Sequence, residues 1–360
     1  MAAHSIAVSA ACEKPRLNPV HSGAFVNMRA LAWRENVLYA SRGYTLLRVT
    51  IRTHASDIEW DRVGRYRPAA WRTVTSSSRM TSRFFRDGFH ALVALSSGHL
   101  VGAVPHAIVT LAPGETEFNR SHKLLRGTRP LHLAATPSDH IFWGEYFDNL
   151  HHDEVHIYAS TDRGAHWDVA YTFPRGNIRH VHNIVYDEWE NCLWVLTGDH
   201  GSECRILRAS CDFKTVDVIL SGNQQVRSAA LVPTRDALYF SSDTPLEINH
   251  VYRLDRRGAL SKVATLNSSS IYGCLIRNAV FFSTMVEPSA INSDRNACVY
   301  GSTDGTRWQR ILRCRKDRWP MGLFQYGNAF LPDGKNNTSI LAITTIAVEH
   351  ADLETSIWQI

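Results

Sequence analysis

The chain has 360 residues and a mass of 40.6 kDa, enough for two ordinary domains or one large all-β unit. Hydrophobic residues at 44% allow a sizeable core, and charged residues at 20% are too few for a disordered chain. Lys+Arg 39 against Asp+Glu 34 leaves a formal +5 with no long basic run, which argues against nucleic acid as a partner.

The N-terminus, MAAHSIAVSAACEKPRL, has no basic n-region and only a short, broken apolar stretch, so it makes a poor secretory signal. No run approaches the length of a membrane span. Seven cysteines form an odd, scattered set without a C-x-x-C pair, which predicts free buried thiols rather than disulfides or a zinc ribbon. A reducing, cytoplasmic setting is the expectation. Two excesses need explaining, 18 His and 10 Trp, and half of the histidines fall between His132 and His200.

Along the chain, short β-branched and aromatic runs alternate with Gly, Pro, Asn and Asp, the punctuation of strands and turns. Residues 29–74 and 86–127 form two such units. Leu131–Ala135 followed by His140–Trp143 opens a third, and Arg179–Val185 followed by Cys192–Leu196 opens a fourth. Val226–Val232 with Ala237–Phe240 and Ile271–Ile276 with Ala279–Phe282 repeat the pattern, and 320–360 completes it. No segment keeps helical periodicity over ten residues.

Seven units averaging about 46 residues suit the four-stranded blades of a β-propeller. The expected fold is all-β: one propeller domain over 1–360 with seven blades, six or eight being the alternatives. The last unit supplies only three strands, so the segment 1–28 is expected to donate the fourth and close the ring.

Two segments match closely, Tyr158-Ala-Ser-Thr-Asp-Arg-Gly-Ala-His-Trp167 and Tyr300-Gly-Ser-Thr-Asp-Gly-Thr-Arg-Trp308. A weaker copy is Ala209-Ser-Cys-Asp-Phe-Lys-Thr-Val216, and the Ser positions 160, 210 and 302 are spaced by one and two blade lengths. These segments resemble the Asp-box, or BNR, repeat of sialidase-like propellers, through Ser160, Asp162, Gly164 and Trp167 and through Ser302, Asp304, Gly305 and Trp308. The resemblance implies a propeller and places the boxes on its rim, away from any chemistry. A sialidase proper is not expected. That group carries an R-I-P motif, three arginines for a carboxylate and a Tyr/Glu nucleophile pair. Here Arg67-Pro68 is only a distant echo, and Tyr326 and Glu287 are the residues that could imitate the pair.

In a propeller, function collects on the loops at one mouth of the channel. Four units carry an acid after their second strand: Glu145, Asp199, Asp243 and Glu287. Turn capping is the competing reading for each. On or beside the innermost strands stand His132, His180, His182, Arg227 and Tyr272. Residues i and i+2 of a strand share a face, so His180 and His182 would point together into the channel, suited to acid–base work or metal ligation. A divalent ion would be held by His180, His182, His250 and Gln224.

Three functions compete. One is β-elimination on an acidic polysaccharide or oligosaccharide, with Arg227 or a metal neutralising the uronate and a His or Tyr, such as Tyr326, removing the proton. Some propeller-fold polysaccharide lyases resemble this in residue kind. The second is hydrolysis by two of the four carboxyl groups. The third is non-catalytic glycan or protein binding on Trp143, Tyr146 and Tyr326. Cleavage of an anionic carbohydrate, by elimination ahead of hydrolysis, is the expectation.

Overall fold

The computed structural model describes residues 17–51 and 58–360. The chain is an all-β β-propeller. Among these residues five antiparallel four-stranded sheets succeed one another: 91–123, 134–173, 181–221, 228–265, and 328–359 completed by Val20–Val26. A sixth, nine-stranded sheet comprises two further four-stranded meanders, 29–65 and 270–315, bridged by Asp333–Asn336.

Burial grades outward along each meander, which explains why the strands read as they do. Second strands such as Cys192–Thr197 and Ala279–Thr284 are buried at every position, because neighbouring sheets cover both faces. Outermost strands such as Val216–Ser221 are largely exposed. That gradient puts uninterrupted apolar runs near the axis and alternating ones at the rim.

The bridging strand has little strand propensity of its own. Asp333–Asn336 runs parallel to Arg29–Glu35, pairing Ala32 with Asp333, and meets the other meander where Ile276 pairs with Asn336. Gly334 has φ +89, and a Cβ there would collide with the Trp33 carbonyl, so the crossing requires glycine. It helps to line a cavity of about 780 Å³ at the end of the channel formed by the later halves of the inner strands.

Val20–Val26 pairs antiparallel with Glu354–Gln359 and forms the outer strand of the last sheet. Residues 1–16, including Cys12, lie outside the described residues. The join is reinforced by buried hydroxyls. Thr355 Oγ1 donates to the Met28 carbonyl at 2.8 Å, Thr344 and Thr355 bond each other at 2.8 Å, and the Ala30 amide donates to Thr344 Oγ1 at 2.9 Å. Thr355→Val keeps the shape and removes the hydroxyl. It is expected to lower the unfolding free energy by about 1–3 kcal/mol in a denaturant titration, the cost of unsatisfied buried partners.

The two S-T-D segments form turns between the third and fourth strands of their meanders. Ser160 Oγ donates to Asp162 Oδ1 at 2.8 Å and accepts the Gly164 amide at 2.8 Å. Ser302 and Asp304 repeat the arrangement, with the Gly305 amide 2.9 Å from Ser302 Oγ. Ser210 and Asp212 keep the Ser–Asp bond at 2.7 Å. Trp167 Nε1 donates to Gly164 O and to Ser121 Oγ of the neighbouring sheet, at 3.1 and 3.2 Å, so the ring staples two sheets.

Three short α-helices among the described residues depart from the all-strand expectation: α1 (Ala70–Thr75), α2 (Arg79–Phe85) and α3 (Met321–Phe324). Each is shorter than the ten residues over which helical periodicity can be read. Buried Arg83 of α2 pairs with Asp317 at 2.7 Å and Asp352 at 3.0 Å, fastening this insertion to the last sheet.

Candidate active site

His180 precedes the inner strand Val181–Asp187, and His182 lies in it at an irregularity where the register slips between Val181 and Asn183. A bulge re-aims a side chain, and both rings are buried with their Nε2 atoms 3.0 Å apart. Their Nδ1 atoms lie 3.1 Å from the Phe147 carbonyl and 3.0 Å from the Ser228 carbonyl. A carbonyl only accepts, so each Nδ1 is the donor and carries a proton. In the neutral rings both Nε2 lone pairs therefore face one another.

Asp199 follows the second strand of the same sheet and closes the group. Its Oδ2 lies 3.5 Å from His180 Nε2, and its Oδ1 lies 3.5 Å from His182 Nε2. Arg227 approaches Oδ1 at 3.3 Å and Arg179 approaches Oδ2 at 3.5 Å. Burial opposes ionisation of Asp199, but the polar contacts with His180 and His182 outweigh it and hold the carboxyl far below the usual aspartate range. Burial pulls His180 below its ordinary value, helped by the charge on His182, while Asp199 works against that.

The next two sheets add a second pair of acids. Asp243 is buried, with Oδ2 3.9 Å from Arg227 Nη2. Burial raises its pKa despite the arginine. Glu287 is raised by burial and then by Asp243, and it accepts a bond from Ser269 Oγ at 2.5 Å. Tyr146 packs its ring 4.4 Å from His180, and burial followed by the charges of Asp243 and Asp199 lifts its phenol to about 12. The mouth thus combines carboxyl groups whose environments push their proton affinities apart with a phenol held protonated. That pattern suits proton transfer.

The structure brings together His180, His182, Asp199, Arg227, Asp243 and Glu287 from the predicted residues. Glu145 is elsewhere engaged: Arg126 pairs with both of its oxygens, and the His156 amide donates to it at 2.8 Å. Gln224 braces loops, donating to the Asp199 carbonyl at 2.8 Å and accepting from Thr244 at 2.6 Å. His250 turns to Gln225, with Nδ1 3.0 Å from its Oε1. The His, Cys, Asp and Glu side chains whose ligand atoms converge here are His180, His182 and Asp199; His250 is not among them, and Gln224 spends its amide on the bonds just named. Tyr326 is exposed beyond α3 and has no bond to this group among the described residues. His132 bonds Asp333 at 2.9 Å, beside Tyr272.

Two residues carried no sequence signal. Arg29 directs its Nη atoms to His90, 3.2 Å away, and its Nε is buried without a partner. Arg129 makes no hydrogen bond or ion pair among the described residues. Burial, then the charges of Arg29 and Arg86, pull it down to about 9, while Tyr272 and Tyr146 oppose. Arg129 thus stands among other guanidinium groups, half-buried and without an anionic partner among the described residues.

No family model matches the chain, and no curated protein matches it. Solved structures do. The WD40 β-propeller domain of Doa1 superposes with a TM-score of 0.57 at 11% identity, covering 95% of this chain and 97% of that one. A chain of the mitotic checkpoint complex gives 0.56 at 11% identity, with 99% of each covered. The GH74 enzyme of Niastella koreensis gives 0.53 at 16% identity, covering 81% of this chain and 46% of that one. At such identities the likeness concerns the fold alone.

Proposed function

We propose that this chain is a glycan-cleaving enzyme acting on an acidic polysaccharide or oligosaccharide by β-elimination. We also read its nine-stranded sheet as two blades, for seven in all, and assign the S-T-D turns to the Asp-box class. One observation carries the function: acid–base groups of divergent proton affinity meet at one mouth, and Arg129, which has no counter-ion among the described residues, lies within electrostatic reach of Tyr146 among them.

In this reading Arg129, with Arg29 beside it, takes the uronate carboxylate and so acidifies the proton on the adjacent carbon. Asp243 or Glu287, each more basic than an ordinary carboxylate, accepts that proton. The electron pair left behind forms a carbon–carbon double bond as the glycosidic C–O bond breaks. The Tyr146 phenol protonates the departing oxygen. In this reading the uronate falls to Arg129 rather than to Arg227, which faces Asp199 at 3.3 Å and Asp243 at 3.9 Å.

Hydrolysis is the second reading, favoured by the raised pair Asp243 and Glu287, where one carboxyl group can serve as acid and the other as base. Incubation of the protein with a panel of uronate-containing polymers separates the two. Ultraviolet absorbance of a conjugated unsaturated uronate is expected. New reducing ends without it replace elimination by hydrolysis, and neither product across the panel overturns glycan cleavage, leaving a binding propeller.

A further inference from the structure

The geometry points to a divalent metal site formed by His180, His182 and Asp199, of the borderline first-row kind typified by Zn²⁺. It deepens the reading above, since such an ion would sit beside Tyr146 and Asp243 in the proposed cleft, but its evidence is independent of turnover.

The ligand atoms already stand at coordination spacing. Two donors about 2.1 Å from one ion, at right or tetrahedral angles, lie about 3.0–3.4 Å apart. The two Nε2 atoms are 3.0 Å apart, and each is 3.5 Å from a different oxygen of Asp199. All three donors lie within 4.8 Å of one another, and all three residues are buried.

The tautomers supply the second argument. Backbone carbonyls of Phe147 and Ser228 fix both protons on Nδ1, which is how metal-bound histidines are commonly oriented. Both Nε2 lone pairs then point at one location. Facing lone pairs at that distance repel unless a cation lies between them, and only a proton or a metal ion fits. Two imidazoles and a carboxylate select a borderline transition ion over Ca²⁺ or Mg²⁺, which prefer oxygen.

Arg179 and Arg227 set their charge against a further cation at Asp199. Neither guanidinium is committed to Asp199 alone: Arg179 also pairs with Asp148 at 2.7 Å, and Arg227 lies 3.9 Å from Asp243. Asp199 therefore keeps charge for a cation at the point that both histidines touch.

The test uses the full-length chain, stripped with a chelator and titrated with Zn²⁺ by calorimetry. One ion per chain is expected, with affinity falling more than about 100-fold in His180→Ala or His182→Ala. His250→Ala, at a discarded position, should bind as the native chain does. Failure of the native chain to take up one ion, or full affinity in the double histidine variant, overturns the proposal. Co²⁺ added to the native chain guards against misfolded variants: a visible band displaced by Zn²⁺ supports the site, and its absence overturns it. Uptake without any glycan cleavage would keep the metal site and sink the enzymatic reading. Cleavage by a chain that takes up no ion would do the reverse.

Discussion

Asp243→Asn is expected to lower turnover on a uronate polymer by about 10²–10⁴-fold, the range for loss of a general acid or base. The substitution conserves size, and the amide can still face Arg227 Nη2, which lies 3.9 Å from the native Oδ2. Thermal unfolding should therefore move little while activity collapses. A native rate with Asn at this position removes Asp243 from the chemistry.

The pH dependence follows from the same environment. A carboxyl raised by burial must lose its proton before it can act as a base, so the acid limb of kcat should lie above the ordinary aspartate range. In stability the acids act in opposite directions. Asp243, raised, favours the folded state at low pH, and that contribution fades as pH rises through its folded pKa. Asp199, depressed, contributes above the ordinary aspartate range and loses that contribution only as strong acid protonates it.

The largest structural effect is expected at Asp187, the last residue of the His182 strand. Its fully buried carboxylate accepts the Trp194 indole N–H at 3.0 Å and the Trp189 amide at 3.0 Å. Arg256 of the next sheet reaches it at 3.2 Å through Nη2 and also bonds the Thr234 carbonyl, so this one group ties two sheets together. Asp187→Ala strands a largely buried guanidinium and an indole N–H. A loss of about 3–5 kcal/mol in a denaturant titration is expected. A loss below about 1 kcal/mol would mean that Glu190, 3.1 Å from Arg256, compensates alone.

The propeller was legible because its units repeat a local signal. Runs such as Cys192–Leu196 and Ala279–Phe282 announce strands covered on both faces, and the S-T-D turns mark their spacing. Asp333–Asn336 was not legible, since D-G-K-N has no strand propensity and pairs only because two finished meanders offer it backbone. The histidine pair and Asp199 could be read from their places in the units. His182 reaches its partner through a bulge that no pattern reveals. Glu145 held the same sequence position as Asp199 yet lies in an ion pair, because only the fold brings Arg126 to it. Arg129 has no hydrogen-bond or ion-pair partner among the described residues, and the absence of a partner has no sequence signature.

The closing strand bears on how the ring is made. Met28 and Thr355, joined by a hydroxyl bond, are 327 residues apart in the chain. Each meander can zip locally within a few dozen residues, but this seam must wait for its two remote edges to meet. Contacts of such separation slow folding. Until they form, the edges of the first and last sheets present unpaired backbone, the surface on which one strand captures another. Sealing the ring therefore ends the interval in which this chain is most exposed to pairing with a neighbour.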